Sequence, residues 1–176
     1  MNSEAGKYAR FEYERRFLVT DDGGWRSLVE PYSKHFEDKY LRDSRLRLRV
    51  STDSDGDRRI IKLTKKYESE SPYFQSITSI ILTPGEYRTF AALDGFRIAK
   101  RRHYHNHRGR IFSIDVFEDE LSGLILCETE AASLDELMAV EFPGYAKIEV
   151  TEDGFFSGGN LCRTTAAELK RKLSAF

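Results

Sequence analysis

Glu12, Glu14 and Arg16 stand at positions i, i+2 and i+4 of the alternating stretch from Phe11 to Val19. In an extended strand that spacing puts all three on one face, with the two carboxylates roughly 7 Å apart along the chain. The same arithmetic groups Arg45, Arg47 and Arg49, while Leu46, Leu48 and Val50 point the other way. Lys62, Thr64 and Lys66 share a face, as do Lys100 and Arg102, and as do Glu128 and Glu130. Asp115 projects from a strand whose other face is Phe112, Ile114 and Val116. Like charges along one strand repel, so whatever neutralises them must come from outside that strand.

For any single strand the plain explanation is a solvated outer face, with acidic and basic strands paired across the sheet. Five such strands together favour a second arrangement, a sheet that closes on itself around cations and a carboxylate cluster. Buried like charges need a counter-ion. A polyanion would neutralise the Arg/Lys faces, and divalent cations would neutralise Glu12, Glu14, Glu128 and Glu130. A metal-bound polyphosphate meets both demands, and hard carboxylate oxygens suit Mg²⁺ or Mn²⁺.

The elements that must position these groups are mostly strands, because period-2 alternation dominates the chain. It predicts strands over Phe11–Val19, His35–Leu41, Arg45–Val50, Arg59–Tyr67, Tyr73–Leu82, Phe96–Asn106, Arg110–Phe117, Ile125–Glu130 and Ala146–Val150. Asp53–Asp57 and Asn106–Gly109 read as hairpin turns. Thr83-Pro84-Gly85-Glu86 is a capping box opening a helix to about Leu93, and Ser133-Leu134-Asp135-Glu136 repeats it for a short helix to about Val140. A weaker helix is expected from Asp22 to about Glu30, and an amphipathic one from Asn160 to Phe176, with Leu161, Ala166, Leu169 and Leu173 near one face. Eight or nine antiparallel strands with a few covering helices make a barrel or a strongly curved sheet.

With 176 residues, 40% of them hydrophobic, the chain has the material for one domain with a real core. Its 28 basic and 29 acidic residues leave a net charge of −1, so global charge points to neither nucleic acid nor a membrane as partner, and is silent on a homodimer. No apolar run has the length of a membrane span. The opening MNSEAGKYARFEYERRF lacks the apolar stretch of a signal peptide, and Cys127 and Cys162 form no disulfide framework, which makes the cytoplasm the default location.

The charged strands also carry a family resemblance. Phe11-Glu12-Tyr13-Glu14-Arg15-Arg16 resembles the opening Glu-x-Glu-x-Lys strand of the CYTH domain, the triphosphate tunnel metalloenzyme superfamily. In order follow Leu46-Arg47-Leu48-Arg49, Leu63-Thr64-Lys65-Lys66 and Lys100-Arg101-Arg102-His103, similar to the paired-arginine, Leu-Thr-x-Lys and Lys-Thr-Arg-Tyr strands of that family. Ile114-Asp115-Val116-Phe117, Leu121-Ser122-Gly123-Leu124 and Cys127-Glu128-Thr129-Glu130 resemble its Asp-Val-Phe, Gly-Leu and Glu-x-Glu block, and Glu149-Val150-Thr151-Glu152-Asp153 its Glu-Val-Thr-x-Asp. The resemblance spans about Phe11 to Leu161 and implies an α+β, mainly β fold: an eight-stranded antiparallel barrel forming a triphosphate tunnel, with a few flanking helices and a C-terminal helix.

The resemblance further implies Glu12, Glu14, Glu128 and Glu130 as ligands of Mg²⁺ or Mn²⁺, with Asp115 near them. It implies Arg16, Arg47, Arg49, Lys66, Lys100 and Arg102 as phosphate-binding residues, and strand phase adds Lys62. Glu12, Glu14, Arg16 and Lys100 are the catalytic candidates, for metal-assisted transfer of a phosphoryl group to water. The partner implied is a small molecule containing a triphosphate, inorganic triphosphate first. An adenylate cyclase of class IV type, a thiamine, nucleoside or RNA triphosphatase, and a non-catalytic polyphosphate-binding module are the alternatives, beside a purely structural barrel.

The sequence departs from the family pattern at four places. Arg16 stands where lysine is usual, keeping the charge as a rigid fork that donates no proton at ordinary pH. His103 replaces a usual tyrosine, Ser157-Gly158-Gly159-Asn160 lacks a usual basic residue, and Gln75 to Leu82 is almost free of charge. His103, His105 and His107 share one face opposite Lys100 and Arg102; they read as surface histidines rather than a metal string. Cys127 reads as a core residue, Cys162 as a helix-face residue, Trp25 as packing, and Lys170-Arg171-Lys172 as the solvated side of the last helix.

Overall fold

The computed structural model describes residues 7–20 and 24–176. Nine strands follow the alternating segments: β1 (Arg10–Val19), β2 (Ser33–Leu41), β3 (Leu46–Asp53), β4 (Arg59–Lys66), β5 (Phe74–Ile81), β6 (Gly95–His107), β7 (Arg110–Phe117), β8 (Ile125–Ala131) and β9 (Ala146–Glu149). All pairings are antiparallel, in the order β5-β4-β3-β2-β6-β7-β8-β1. Arg10–Tyr13 of β1 then pairs with Phe74–Ile77 of β5, which closes eight strands into a barrel. The ninth, β9, pairs only with the far end of β1, at Phe17–Val19, and lies outside the ring.

Closure gives the alternation its meaning. Residues pointing outward are apolar where something covers them. Leu48, Val50, Ile61 and Leu63 pack beneath helix α1 (Pro84–Ala91), whose Thr83–Glu86 capping box forms as the sequence predicts. Phe17, Phe112, Ile114 and Cys127 form a second outer cluster with Trp25, Val140 and Tyr145, around the short helix α2 (Leu134–Met138). The β6–β7 hairpin turns through Arg108 and Gly109, both at positive φ (52° and 84°), as a two-residue turn twisted to match its strands requires.

Inside the barrel, one end is plugged. Leu18, Ile98, Phe117 and Leu126 point inward and pack against Phe156, Leu161 and Leu169 of the C-terminal segment. The expected single helix from Asn160 is broken: α3 (Gly158–Leu161) ends, and α4 (Ala166–Leu173) restarts with Thr165 as its cap and Glu168 closing the box. Leu161 and Leu169 both still reach the one apolar cluster. Lys172 anchors α4 to Asp153 at 2.6 Å. Residues 24–30 form turns rather than the expected helix, and positions 22 and 23 lie outside the described residues.

The histidines depart from expectation. His105 is buried and its Nδ1 lies 2.7 Å from the Tyr145 hydroxyl, while His103 packs on Trp25 and His107 on Phe112. They share an outward face, as the alternation requires, but the chain around Trp25 and Tyr145 covers it.

Truncating the plug should loosen the barrel without touching its charges. Phe156 is almost wholly buried, so Phe156→Ala is expected to lower unfolding free energy by about 3–5 kcal/mol in urea titrations.

Candidate functional site

Strand phase brings the charged faces together in the barrel interior. Glu12, Glu14, Arg16, Asp38, Tyr40, Arg47, Arg49, Lys66, Lys100, Arg102, Glu128 and Glu130 all line one cavity of about 110 Å³, floored by Ile98, Phe117, Leu126, Phe156 and Leu161. It opens past Glu12, Arg47 and Lys66 into an outer chamber of about 390 Å³, walled by Tyr73, Phe74 and residues 151–154. Arg102, Glu128 and Glu130 also face a third space of about 360 Å³ by Arg110 and Ser113. Lys62 lies opposite Arg49 in the β3–β4 register, on the predicted face, but outside the cavity lining.

The register sets which charges meet. Glu14 lies opposite Glu130 and Arg16 opposite Glu128 across β1 and β8; Arg102 lies opposite Asp115 across β6 and β7; Asp38 lies opposite Arg49 across β2 and β3. Arg49 donates two bonds of 2.6 Å to the Asp38 carboxylate, and the Phe36 ring lies under its guanidinium at 4.3 Å. Arg102 donates two bonds of 2.6 Å to Asp115 and a third, also 2.6 Å, to Glu128. Lys100 completes the hold on Asp115, which has no solvent exposure at all. Arg16 donates through Nε to Glu128 at 2.9 Å and through Nη2 to Glu14.

This lattice separates the carboxyls into two kinds. Burial pushes Asp38, Asp115 and Glu128 up, but Arg49 and Arg47, Arg102 and Lys100, and Arg16 and Lys100, respectively, outweigh it and hold all three below the ordinary carboxylate range. Glu14 and Glu130 go the other way: burial raises both, Glu128 adds to Glu14, and Glu12 and Glu14 add to Glu130. Burial also lowers Lys66, reinforced by Arg47, and lowers Lys100 against the pull of Asp115. Among the described residues neither Arg47 nor Lys66 has a carboxylate within ion-pair distance, and the Arg47 Nε has no hydrogen-bond partner.

Two lining residues escaped the sequence reading. Asp38 and Tyr40 share the inward face of β2 with Phe36; the signal was available in their phase, but with Glu37 and Lys39 on the other face the strand shows no clean polar alternation. Tyr40 also packs close to Gly158, where a Cβ would come within 2.0 Å of its hydroxyl. The β5 wall is neutral, as read, with Gln75 opposite Glu12 and Ser79 hydrogen-bonded to Thr64 at 2.8 Å.

Carboxylate oxygens on the β1–β8 wall are the donor chemistry that Mg²⁺ or Mn²⁺ takes. Burial first and neighbouring carboxylates second raise Glu14 and Glu130, and a divalent cation held there would favour their ionised form. Among the described residues, however, no three acid, histidine or cysteine side chains converge into a ready site. Arg16 stands between Glu14 and Glu128.

A closed eight-stranded antiparallel barrel around this charged lumen is the CYTH-type, triphosphate tunnel fold. Two solved structures of NE1496 share it, one described as a hypothetical protein and one as the inorganic triphosphatase NE1496. They are 26% and 25% identical to this chain, cover 88% and 87% of it and 99% and 95% of their own length, and superpose with a TM-score of 0.55 in both cases. The PH1819 protein from Pyrococcus horikoshii OT3 shares the fold alone, at 17% identity, 72% coverage of this chain, 82% of its own and a TM-score of 0.53. No protein-family model matches the chain, and no curated protein does.

Two outcomes follow from the charge lattice. Asp115→Asn leaves Lys100 and Arg102 facing each other in a buried space and is expected to cost about 3–5 kcal/mol of stability by chemical denaturation. Glu130 has the opposite sign: its raised pKa means that the folded state holds the proton more tightly than the unfolded chain. Ionising it therefore costs stability as pH rises through the folded pKa. Glu130→Gln should be more stable than the parent at pH 7, with the gain fading as pH falls below the ordinary glutamate range.

Proposed function

We propose that this chain is a metal-assisted triphosphatase, with inorganic triphosphate as its first substrate. The observation that carries the reading is a pair of half-buried cations, Arg47 and Lys66, with no carboxylate in ion-pair distance among the described residues, lining one cavity with the Glu12–Glu14–Glu130 wall. The lining sets the basic Arg16, Arg47, Arg49, Lys66, Lys100 and Arg102 against the acidic Glu12, Glu14, Asp38, Glu128 and Glu130, with Asp115 buried behind Lys100 and Arg102. A phosphate chain brings several further negative charges. Arg47 and Lys66 meet part of that load directly, and a divalent cation on the acidic wall meets more. The similarity to the inorganic triphosphatase NE1496, at 25% identity over most of both chains, supports the same reading.

Glu12, Glu14, Glu128 and Glu130 are the residues that would hold Mg²⁺ or Mn²⁺, whose chemistry is charge neutralisation and a bound water of lowered pKa. The chain's own groups do the rest. Arg47 and Lys66 take phosphate oxygens at the open end, and Arg49 and Arg102, fixed by Asp38 and Asp115, present their remaining donors in a set geometry. Cations already oriented before substrate arrives stabilise charge on the transferring group without reorganisation. Lys100, buried and below the usual lysine range, sits near the floor. Cys127 points out of the lumen into the core, where burial raises its thiol pKa, so nothing suggests a covalent nucleophile there.

Phosphate release from inorganic triphosphate with Mg²⁺, Mn²⁺ or EDTA, beside ATP and pyrophosphate, tests the reading. Metal-dependent turnover of triphosphate is expected, falling ~100-fold or more in Glu12→Gln/Glu14→Gln, while Arg47→Ala raises KM about tenfold. Absence of phosphate release from every substrate in both metals would overturn it.

A further inference from the structure

Arg16 occupies the ground between the two halves of the acidic wall. Its Nε donates to one oxygen of Glu128 at 2.9 Å and its Nη2 to Glu14, while the other Glu128 oxygen accepts from Arg102 at 2.6 Å. The cross-strand pairing of Arg16 with Glu128, two positions from the Glu14–Glu130 pair and on the same face, puts the guanidinium there by register rather than by chance of side-chain rotation. Its side chain is 16% exposed, so these are partly dehydrated bonds. A planar fork with several fixed donors can span two carboxylates; a lysine ammonium at this position is a point charge without that reach.

The same guanidinium also lines the outer chamber with Arg47 and Lys66, where phosphate oxygens would enter. Carboxylates and phosphates compete for one two-armed cation, and both make bidentate partners for it. We propose that Arg16 is a built-in counter-ion that closes the carboxylate site in the free protein, and that a phosphate chain opens this site by drawing the guanidinium to itself. Metal and triphosphate then load together, and neither alone meets a fully assembled site. The inference rests on the triphosphate reading above and concerns the order in which that site is filled.

A single substitution should change the two affinities in opposite directions. Mn²⁺ binding to the phosphate-free protein, read from loss of the free-ion electron paramagnetic resonance signal, is expected to be about tenfold tighter in Arg16→Gln than in the parent. Binding of inorganic triphosphate in EDTA, read by calorimetry, is expected to be about tenfold weaker in the same variant. Arg16→Lys, which keeps the charge and guards against a folding defect, should gain Mn²⁺ affinity while retaining most triphosphate affinity. Equal Mn²⁺ affinity in parent and both variants overturns the proposal, as does a loss of both affinities together. A parent protein that binds no triphosphate in EDTA or with metal, and releases no phosphate, overturns the triphosphate reading itself.

Discussion

A charge without water must face an opposite charge, and the barrel is arranged around that requirement. Asp115, wholly buried, is bracketed by Lys100 and Arg102; Asp38 is clamped by Arg49; Glu128 receives Arg16 and Arg102. Arg16–Glu128, Arg49–Asp38 and Arg102–Asp115 join directly opposed positions on neighbouring strands, while Lys100 reaches Asp115 diagonally and Arg102 reaches Glu128 across β7, so the ion lattice and the hydrogen-bond register constrain one another. A one-residue slip on β6 would turn Lys100 and Arg102 outward and leave Asp115 alone in the interior. Buried ion pairs add little net stability, but breaking one is costly, and that asymmetry favours this register over its alternatives.

The lattice leaves a deliberate imbalance. Where arginine and carboxylate are matched, the acids are held ionised and the arginines immobile. Where they are not, Arg47 and Lys66 lack partners on one wall while Glu14 and Glu130 repel on another. The neutral β5 wall, with Gln75 and Ser79, separates basic β4 from acidic β1 in the ring. An anion and a cation entering together therefore meet different surfaces within a few strands of each other.

Most of this was legible in the sequence because a period of two assigns both the element and the face. Glu12, Glu14 and Arg16 had to share a side, and closure decided that the side was the interior. What escaped was set by groups distant in sequence. Asp38 matters because of Arg49 on the next strand, and Gly158 because of Tyr40. The last helix restarts at Thr165, whose capping box with Glu168 lay inside a stretch that apolar periodicity alone reads as continuous. The histidines are covered by Trp25 and Tyr145, which no local pattern announces. Lys62 has the right phase and lies opposite the lining residue Arg49, yet does not itself line the cavity, which alternation alone does not decide.

The forked pairing of β1 has a consequence for assembly. This one strand carries Glu12, Glu14 and Arg16, and it is bonded to β5, β8 and β9. Its first contacts join residues such as Arg10 and Ile77; its last join Phe17 and Glu149. Pairings so far apart in sequence close slowly, since loop entropy is lost before the contacts are made. During synthesis, β1 emerges before β5, β8 and β9, the three strands that it pairs with. Three of the residues that define the lumen thus wait, exposed and hydrated, until nearly everything that will surround them has been made.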